Sequence, residues 1–248
     1  MQWALLLRNV WMPPNAAAHG IAVDRLMRWD VAAMVGCFVL AQVLLVWLLW
    51  RPRRHGTAPS SWRVELIPLA LLTLLYIAMA VTAEHVWASQ RFEGPAASAM
   101  RVEVVGQQFQ WYFHYPGSDA AYGLSRPALV SAALANPLGL DPADPHGRDD
   151  IVASELVLPA DREVDLQLRA LDVIHGFFIP QMRLKQNAVP GEVLHVHFTP
   201  IAIGTYPILC SQLCGSGHAR MQARLRVIPP RDYDAWLAAH APHHEAAQ

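Results

Sequence analysis

The sequence predicts a membrane-anchored protein: a two-helix transmembrane hairpin followed by an all-β unit. Three observations carry this. Residues 31–50 and 66–83 are two uncharged apolar runs. Beyond Glu84 the apolar residues fall into strict alternation, the period of half-buried strands. Over all 248 residues, 54% are hydrophobic and only 16% charged, a balance that leans toward membrane insertion. A formal net charge of −1 gives no basic field for nucleic acid.

Residues 1–30 read as an N-terminal arm, partly helical. The short apolar run at 5–7 precedes Arg8, the reverse of the order in a cleaved signal peptide. The run 31–50 holds a single polar residue, Gln42. As a helix it is about 30 Å long, the thickness of a bilayer core. The run 66–83 carries only the hydroxyls of Thr73, Tyr76 and Thr82, and the hairpin is placed at 31–88. A buried helix of a soluble protein is the alternative, which two such runs in succession disfavour. Arg51, Arg53, Arg54 and Arg63 lie between the runs, so the positive-inside rule puts that loop in the cytoplasm and both termini outside. The three Arg of the arm oppose this assignment. Glu65, at the start of the second helix, complements the helix dipole.

The β unit is placed at 89–228. Val164, Leu166, Leu168 and Ala170 alternate with polar neighbours, as do Leu194, Val196 and Phe198, and then Ala223, Leu225 and Val227. His195 and His197 fall on the polar side of their strand and read as exposed. Residues 117–154 form a long insertion containing Asp141, Asp144, Asp149 and Asp150. It reads as a solvated surface loop, or as part of an acidic docking face for a basic partner protein. Residues 229–248 read as one helix, with Tyr233, Trp236 and Leu237 at helical spacing, and a disordered tail bearing His240, His243 and His244.

The chemistry concentrates in Cys210-Ser-Gln-Leu-Cys214-Gly-Ser-Gly-His218-Ala-Arg-Met221. Two thiolates, an imidazole and a thioether select copper over hard cations, and zinc seldom takes a thioether. A mononuclear electron-transfer site uses one Cys, two His and an axial Met, so the second Cys is surplus there. Two thiolates bridging two copper ions would use both. Each ion would then need one His and one weak ligand: Met221 for one, and for the other a backbone carbonyl such as that of Gln212. The remaining His is found at His175. A Cys210–Cys214 disulfide is the competing reading, since an external domain lies in an oxidising space. Cys37, in an apolar run, reads as inert.

Asp172-Val-Ile-His175 followed by Cys210-x-x-x-Cys214-x-x-x-His218-x-x-Met221 resembles the dinuclear copper (CuA) domain of cytochrome c oxidase subunit II. The resemblance runs from the hairpin to about Val227. It implies a cupredoxin-like Greek-key barrel, with His175, Cys210, Gln212, Cys214, His218 and Met221 as the ligand set. It implies electron transfer from cytochrome c to haem in subunit I, where a further copper helps reduce oxygen to water as protons are translocated. Subunit III and membrane lipid are implied neighbours. The implied location is a bacterial inner membrane with the copper domain on the periplasmic side. The family's aromatic segment corresponds to 106–115, where Phe109 falls at the position of the electron-entry Trp and Trp111 lies two residues on. Glu65 corresponds to an acid at a proton-path mouth. Gln212 replaces a Glu whose carboxylate reaches an interface magnesium ion. A neutral amide is a poorer ligand for a hard cation, which weakens the case for magnesium. Asp172 is read either as orienting the ligand loop or as a turn residue. Lys185, Asn187, Pro190 and Gly191 match a family stretch near that interface. No Cys-x-x-Cys-His motif for a fused c-type haem occurs. A nitric oxide reductase subunit is an alternative, as is, from another class, a copper chaperone or thiol-redox protein. A quinol oxidase subunit lacks these ligands.

Overall fold

The structure, a computed structural model, describes residues 12–51, 61–131, 134 and 136–241. The chain divides into two compact units, one formed by 21–93 and the other by 1–20 with 94–248.

The first unit holds two helices, α1 (Gly20–Trp50) and α2 (Trp62–Arg91). Both are long and apolar enough to cross a membrane, and their most apolar windows are entirely unburied. Each extends past the apolar run that announces it. Helix propensity does not stop where hydropathy does, and Asp24, Arg25, Arg28 and Asp30 continue α1 toward its N-terminus. Glu65 lies in the first turn of α2, as expected. Arg51 ends the described part of the interhelical loop, while Arg53 and Arg54 lie outside the described residues.

The second unit is built from two five-stranded sheets. One has the order β3 (Ile151–Ala153), β2 (Gln110–Tyr115), β1 (Met100–Gln107), β5 (Val164–Ala170), β8 (Leu194–Phe198). The other has β4 (Leu156–Pro159), β10 (Gln222–Ile228), β9 (Gly204–Cys210), β6 (His175–Ile179), β7 (Leu184–Ala188). Pairing is antiparallel except between β1 and β5 and between β4 and β10. The alternation read from the sequence drives this arrangement. Leu166, Leu168, Val196, Leu225 and Val227 all enter the core. Helix α3 (Pro230–His240) buries Tyr233 and Trp236, the spaced pair expected of it.

Three expectations need correction. His197 is half-buried and its Nδ1 lies 3.1 Å from Glu163, whereas His195 is exposed, as expected, and bonds Asp165 at 2.9 Å. Asp165 of the neighbouring strand β5 and Glu163 just before it supply these acids, which strand alternation alone does not reveal. His240 belongs to α3: it stacks on Trp236 at 4.6 Å and donates to its carbonyl. His243 and His244 lie outside the described residues, as do the apolar run at 5–7 and Arg8. The arm is helical from Gly20, as expected, and just ahead of that it is pinned to the β unit: Ala16 and Ala17 are buried, and Ala16 N–H donates to the Gln181 carbonyl at 2.8 Å.

The insertion, finally, is not simply solvated. His114, fully buried on β2, bonds Asp150 at 2.6 Å and Glu103 at 2.8 Å. Arg169 closes the set on Glu103. Asp150 also accepts from the amides of Gly117 and Gly123. Asp141 pairs with Arg126, Asp144 accepts from Leu124, and Asp149 accepts from Ser118. The acids thus order the segment from within. Because β2 runs from Gln110 to Tyr115 and β3 returns antiparallel beside it, with Ile151 opposite Tyr115, both ends of the loop between them leave the sheet at the Tyr115 end.

Candidate metal centre

Backbone register brings the distant ligands together. His175 opens β6 and Cys210 closes β9, and these strands pair through Phe177 and Cys210. Ser211 N–H donates to the Gly176 carbonyl at 2.8 Å, continuing the ladder into the loop. Residue 176 must be glycine: a Cβ there would meet Ser211 Oγ at 2.4 Å and the Gln212 amide nitrogen at 2.7 Å. At the other end of the loop, Cys210 N–H donates to the Met221 carbonyl at 3.2 Å.

The ligand atoms of His175, Cys210 and Cys214 lie within 4.8 Å of one another. The two sulfurs are 3.8 Å apart and both thiols are free. A disulfide needs about 2.05 Å, so the disulfide reading fails here. Two thiolates on a shared metal, each at about 2.3 Å, can be no more than about 4.6 Å apart, which this pair satisfies. His218 Nδ1 is 3.7 Å and Met221 Sδ 3.8 Å from Cys214 Sγ. His218 reaches the cluster through Cys214 and is not among the three tightest residues. The Gln212 carbonyl oxygen is 3.2 Å from Cys210 Sγ, while the Gln212 side chain is exposed.

His175 is fully buried and its ring is oriented. Its Nε2 bonds Asp172 Oδ1 at 2.8 Å, and its buried Nδ1 has no hydrogen-bond partner. A buried ring nitrogen without a partner costs free energy unless a cation or donor satisfies it. Asp172 takes both roles foreseen for it: it orients the ring, and it accepts from the amides of Val173 and Gln108. Burial by itself would raise its pKa, but these bonds hold the carboxyl below its usual range. Burial, with Cys210 beside it, pushes the Cys214 thiol up to about 11. A nearby cation reverses that preference. Soft donors, a partnerless imidazole nitrogen and two unlinked sulfurs together fit copper.

The aromatic pair divides. Trp111 is fully buried, edge-on to His175 at 5.8 Å and to Phe177 at 5.2 Å. Phe109 is 37% exposed and lies against the Cys loop, where a Cβ on Gly217 would come within 2.4 Å of its ring. Sequence reasoning missed Gln108, whose Nε2 donates to the Cys214 carbonyl at 2.6 Å and whose amide donates to Asp172. It also missed Gly106, where a Cβ would strike His175 at 2.9 Å. The only hint was their place in the aromatic segment. The stretch at 185–191 flanks the cluster, since β7 pairs with β6 and sets Ala188 opposite His175 and Asn187 opposite Gly176.

The family described as cytochrome c oxidase subunit II, periplasmic domain, matches residues 100–228. The alternative cytochrome c oxidase subunit 2 of Bradyrhizobium diazoefficiens is 42% identical over 154 residues, covering 61% of this chain and 54% of that one. The match thus spans about half of that relative's length. The cytochrome c oxidase subunit 2 of Synechocystis sp. is 30% identical over 263 residues, covering 93% of this chain and 76% of the relative. Among solved structures, the periplasmic domain of subunit II of cytochrome oxidase (CoxB) of Bradyrhizobium japonicum aligns with a TM-score of 0.43 at 24% identity. It covers 58% of this chain and 94% of that one.

Proposed function

The chain belongs to the cytochrome c oxidase subunit II family, and from that premise we propose that it is the electron-entry subunit of a haem–copper oxidase. It takes electrons from a cytochrome c at a dinuclear copper (CuA) centre and delivers them to haem in subunit I, where oxygen is reduced to water and protons are translocated. The observation that carries this is the gathering of His175, Cys210 and Cys214 within 4.8 Å, with their sulfurs unlinked.

His175, Cys210, Cys214, His218, Met221 and the Gln212 carbonyl would hold the metal. Bound copper supplies a one-electron couple; the residues supply everything else. Asp172 fixes the His175 ring through Nε2, which leaves the buried, partnerless Nδ1 as the nitrogen that would bind a metal. Burial of His175, Cys214 and Met221 keeps water from the centre. Cys210 and Cys214 lose their protons on loading, which makes metal uptake pH-dependent. Trp111 walls the site from within, while Phe109 is the aromatic residue that a docking donor can touch.

The regions follow this division. Helices α1 and α2, which carry the apolar runs at 31–50 and 66–83, anchor the chain in a bacterial inner membrane against subunit I, with subunit III and lipid as further neighbours. The unit at 89–228 faces the periplasm, behind an arm at 1–30 and ahead of the terminal segment 229–248. Glu65 is assigned to the mouth of a proton path, and no magnesium ion is assigned to the Gln212 side chain.

The test is metal analysis and electron spin resonance of the full chain purified in detergent and loaded with copper. Two coppers per chain sharing one unpaired electron are expected. One copper or none overturns the proposal and favours a chaperone or thiol-redox role.

A further inference from the structure

One residue ties the two ligand-bearing loops to each other. Gln108 and Phe109 form the turn between β1 and β2, where Gln107 pairs with Gln110. The Gln108 amide donates to Asp172 Oδ2 at 2.7 Å. The other oxygen of that carboxylate, Oδ1, holds His175 Nε2 at 2.8 Å. On its other side, Gln108 Nε2 donates to the Cys214 carbonyl at 2.6 Å. The same residue thus bonds the carboxylate that orients one ligand and the backbone of another.

The two thiols are not supported alike. Cys210 is the last residue of β9. It pairs with Phe177 of β6, and its amide donates to the Met221 carbonyl at 3.2 Å. Cys214 belongs to no strand. Among the described residues, the stretch 212–214 makes one hydrogen bond outside the Cys loop at 210–221, and Gln108 supplies it. Yet the donor set converges on Cys214: its sulfur is 3.8 Å from Cys210 Sγ and Met221 Sδ and 3.7 Å from His218 Nδ1. Any displacement of Cys214 shifts it against all of these at once. The loop also leaves room for the Gln108 side chain. Gly215 has φ +135°, a conformation side chains rarely adopt, and a Cβ there would lie 2.8 Å from Gln108 Nε2. Gln108 is exposed, so burial is not what holds it against the loop.

We propose that Gln108 is a positioning residue of the metal centre: its side-chain amide fixes Cys214 relative to His175 and keeps the two sulfurs matched as bridging donors. This rests on the copper reading above and adds to it a residue that binds no metal. The strand ladder fixes Cys210 whatever stands at position 108. Without the Gln108 donor, the Cys214 carbonyl turns to water and the stretch 212–214 keeps no tie outside its loop. Gln108→Met is close to glutamine in size and has no donor; Gln108→Glu has the same shape and sets an acceptor against the carbonyl. Both keep the backbone bond to Asp172, so they remove only the Cys214 tie.

The experiment uses the full chain in detergent, native and with each of these two substitutions. Gln110→Met, a like change at the next exposed glutamine, is the control. Copper is counted, its spin resonance is recorded and its removal by a chelator is timed. In the reduced, metal-free chain, alkylation of Cys210 and Cys214 is followed by peptide mass spectrometry, a readout independent of the metal. Both Gln108 variants should share the unpaired electron unevenly between the coppers and lose copper about 10- to 100-fold faster. Cys214 alkylation should quicken roughly 2- to 10-fold, the opening that one lost hydrogen bond allows, while Cys210 keeps its rate. Tm of the metal-free chain should fall by less than about 2 °C, since the side chain is exposed. The control should match the native chain throughout. Native spin sharing and native copper retention in both Gln108 variants overturn the proposal, even where Tm falls, because Gln108 then serves stability alone. If the native chain binds one copper or none, the dinuclear reading fails; the positioning of Cys214 then stands if its alkylation quickens in both variants and falls if it does not.

Discussion

Gly176→Ala is the sharpest test of how the centre is assembled. The added methyl would stand 2.4 Å from Ser211 Oγ, 2.7 Å from the Gln212 amide nitrogen and 2.9 Å from the Ser211 carbonyl carbon. Ser211 Oγ sits on a single rotatable bond and can turn away. The two backbone atoms cannot, because the Ser211 amide is held on the Gly176 carbonyl at 2.8 Å. Overpacking of this kind costs about 1–3 kcal/mol. For a unit of this size that corresponds to a fall in Tm of roughly 2–12 °C. The displaced backbone is that of the Cys loop, so copper affinity falls with stability. Thermal unfolding of the full chain with and without copper, and competition with a chelator, measure both effects. Adding Ser211→Ala removes the closest contact and leaves the backbone ones, so the double variant should recover only part of the loss. Full recovery in the double variant, or a Gly176→Ala protein with unchanged Tm and copper affinity, would refute the reasoning.

Other outcomes follow from the same geometry. Asp172→Asn puts an amide NH2 where the Gln108 amide or His175 Nε2 needs an acceptor, and should weaken copper about 10- to 100-fold in chelator competition. Trp111→Ala empties a fully buried site and should cost about 3–5 kcal/mol in urea unfolding; equal stability would place Trp111 outside the core. His114→Ala strands the buried carboxylate of Asp150 and should cost about 3–5 kcal/mol by the same measurement. The network also sets a pH dependence. Burial alone would lower the His114 pKa, but Asp150 and Glu103 hold it above its usual value, so its stabilisation is full below about pH 6.5 and is lost as pH rises through the raised value. Burial alone would raise Glu103, but His114 and Arg169 hold it low, so its share is present above about pH 4.3 and is lost as pH falls through the lowered value. Arg101 and Tyr122, which faces the His114 ring at 4.9 Å, complete the charged and titratable surroundings. Tm against pH should therefore form a plateau, and the His114→Ala variant should lose its alkaline limb.

The soft-donor loop was legible because four of its ligands lie within twelve residues and donor chemistry does not depend on fold. His175, 35 positions upstream of Cys210, was found through its flanking motif, and its adjacency is a matter of β6–β9 register. The choice between Trp111 and Phe109 was not legible. Both are aromatic and two residues apart, so a strand would put them on the same side. They part because β2 starts at Gln110: Trp111 enters the sheet opposite Gly106, while Phe109 stays in the turn over Gly217. The insertion misled because its composition is that of a solvated loop, whereas its partners His114 and Glu103 come from strands read for other reasons.

The sequence by itself determined the two apolar helices, three of the strands and a set of soft candidate donors, because hydropathy, alternation and ligand softness are properties of residues and of spacing along the chain. Only the tertiary structure decided which nitrogen of His175 is left for a metal, which aromatic residue meets solvent, and where the acids of the insertion are used. Each of those depends on groups far apart in the chain competing for the same hydrogen bond or the same buried volume, and no local pattern records the result of that competition.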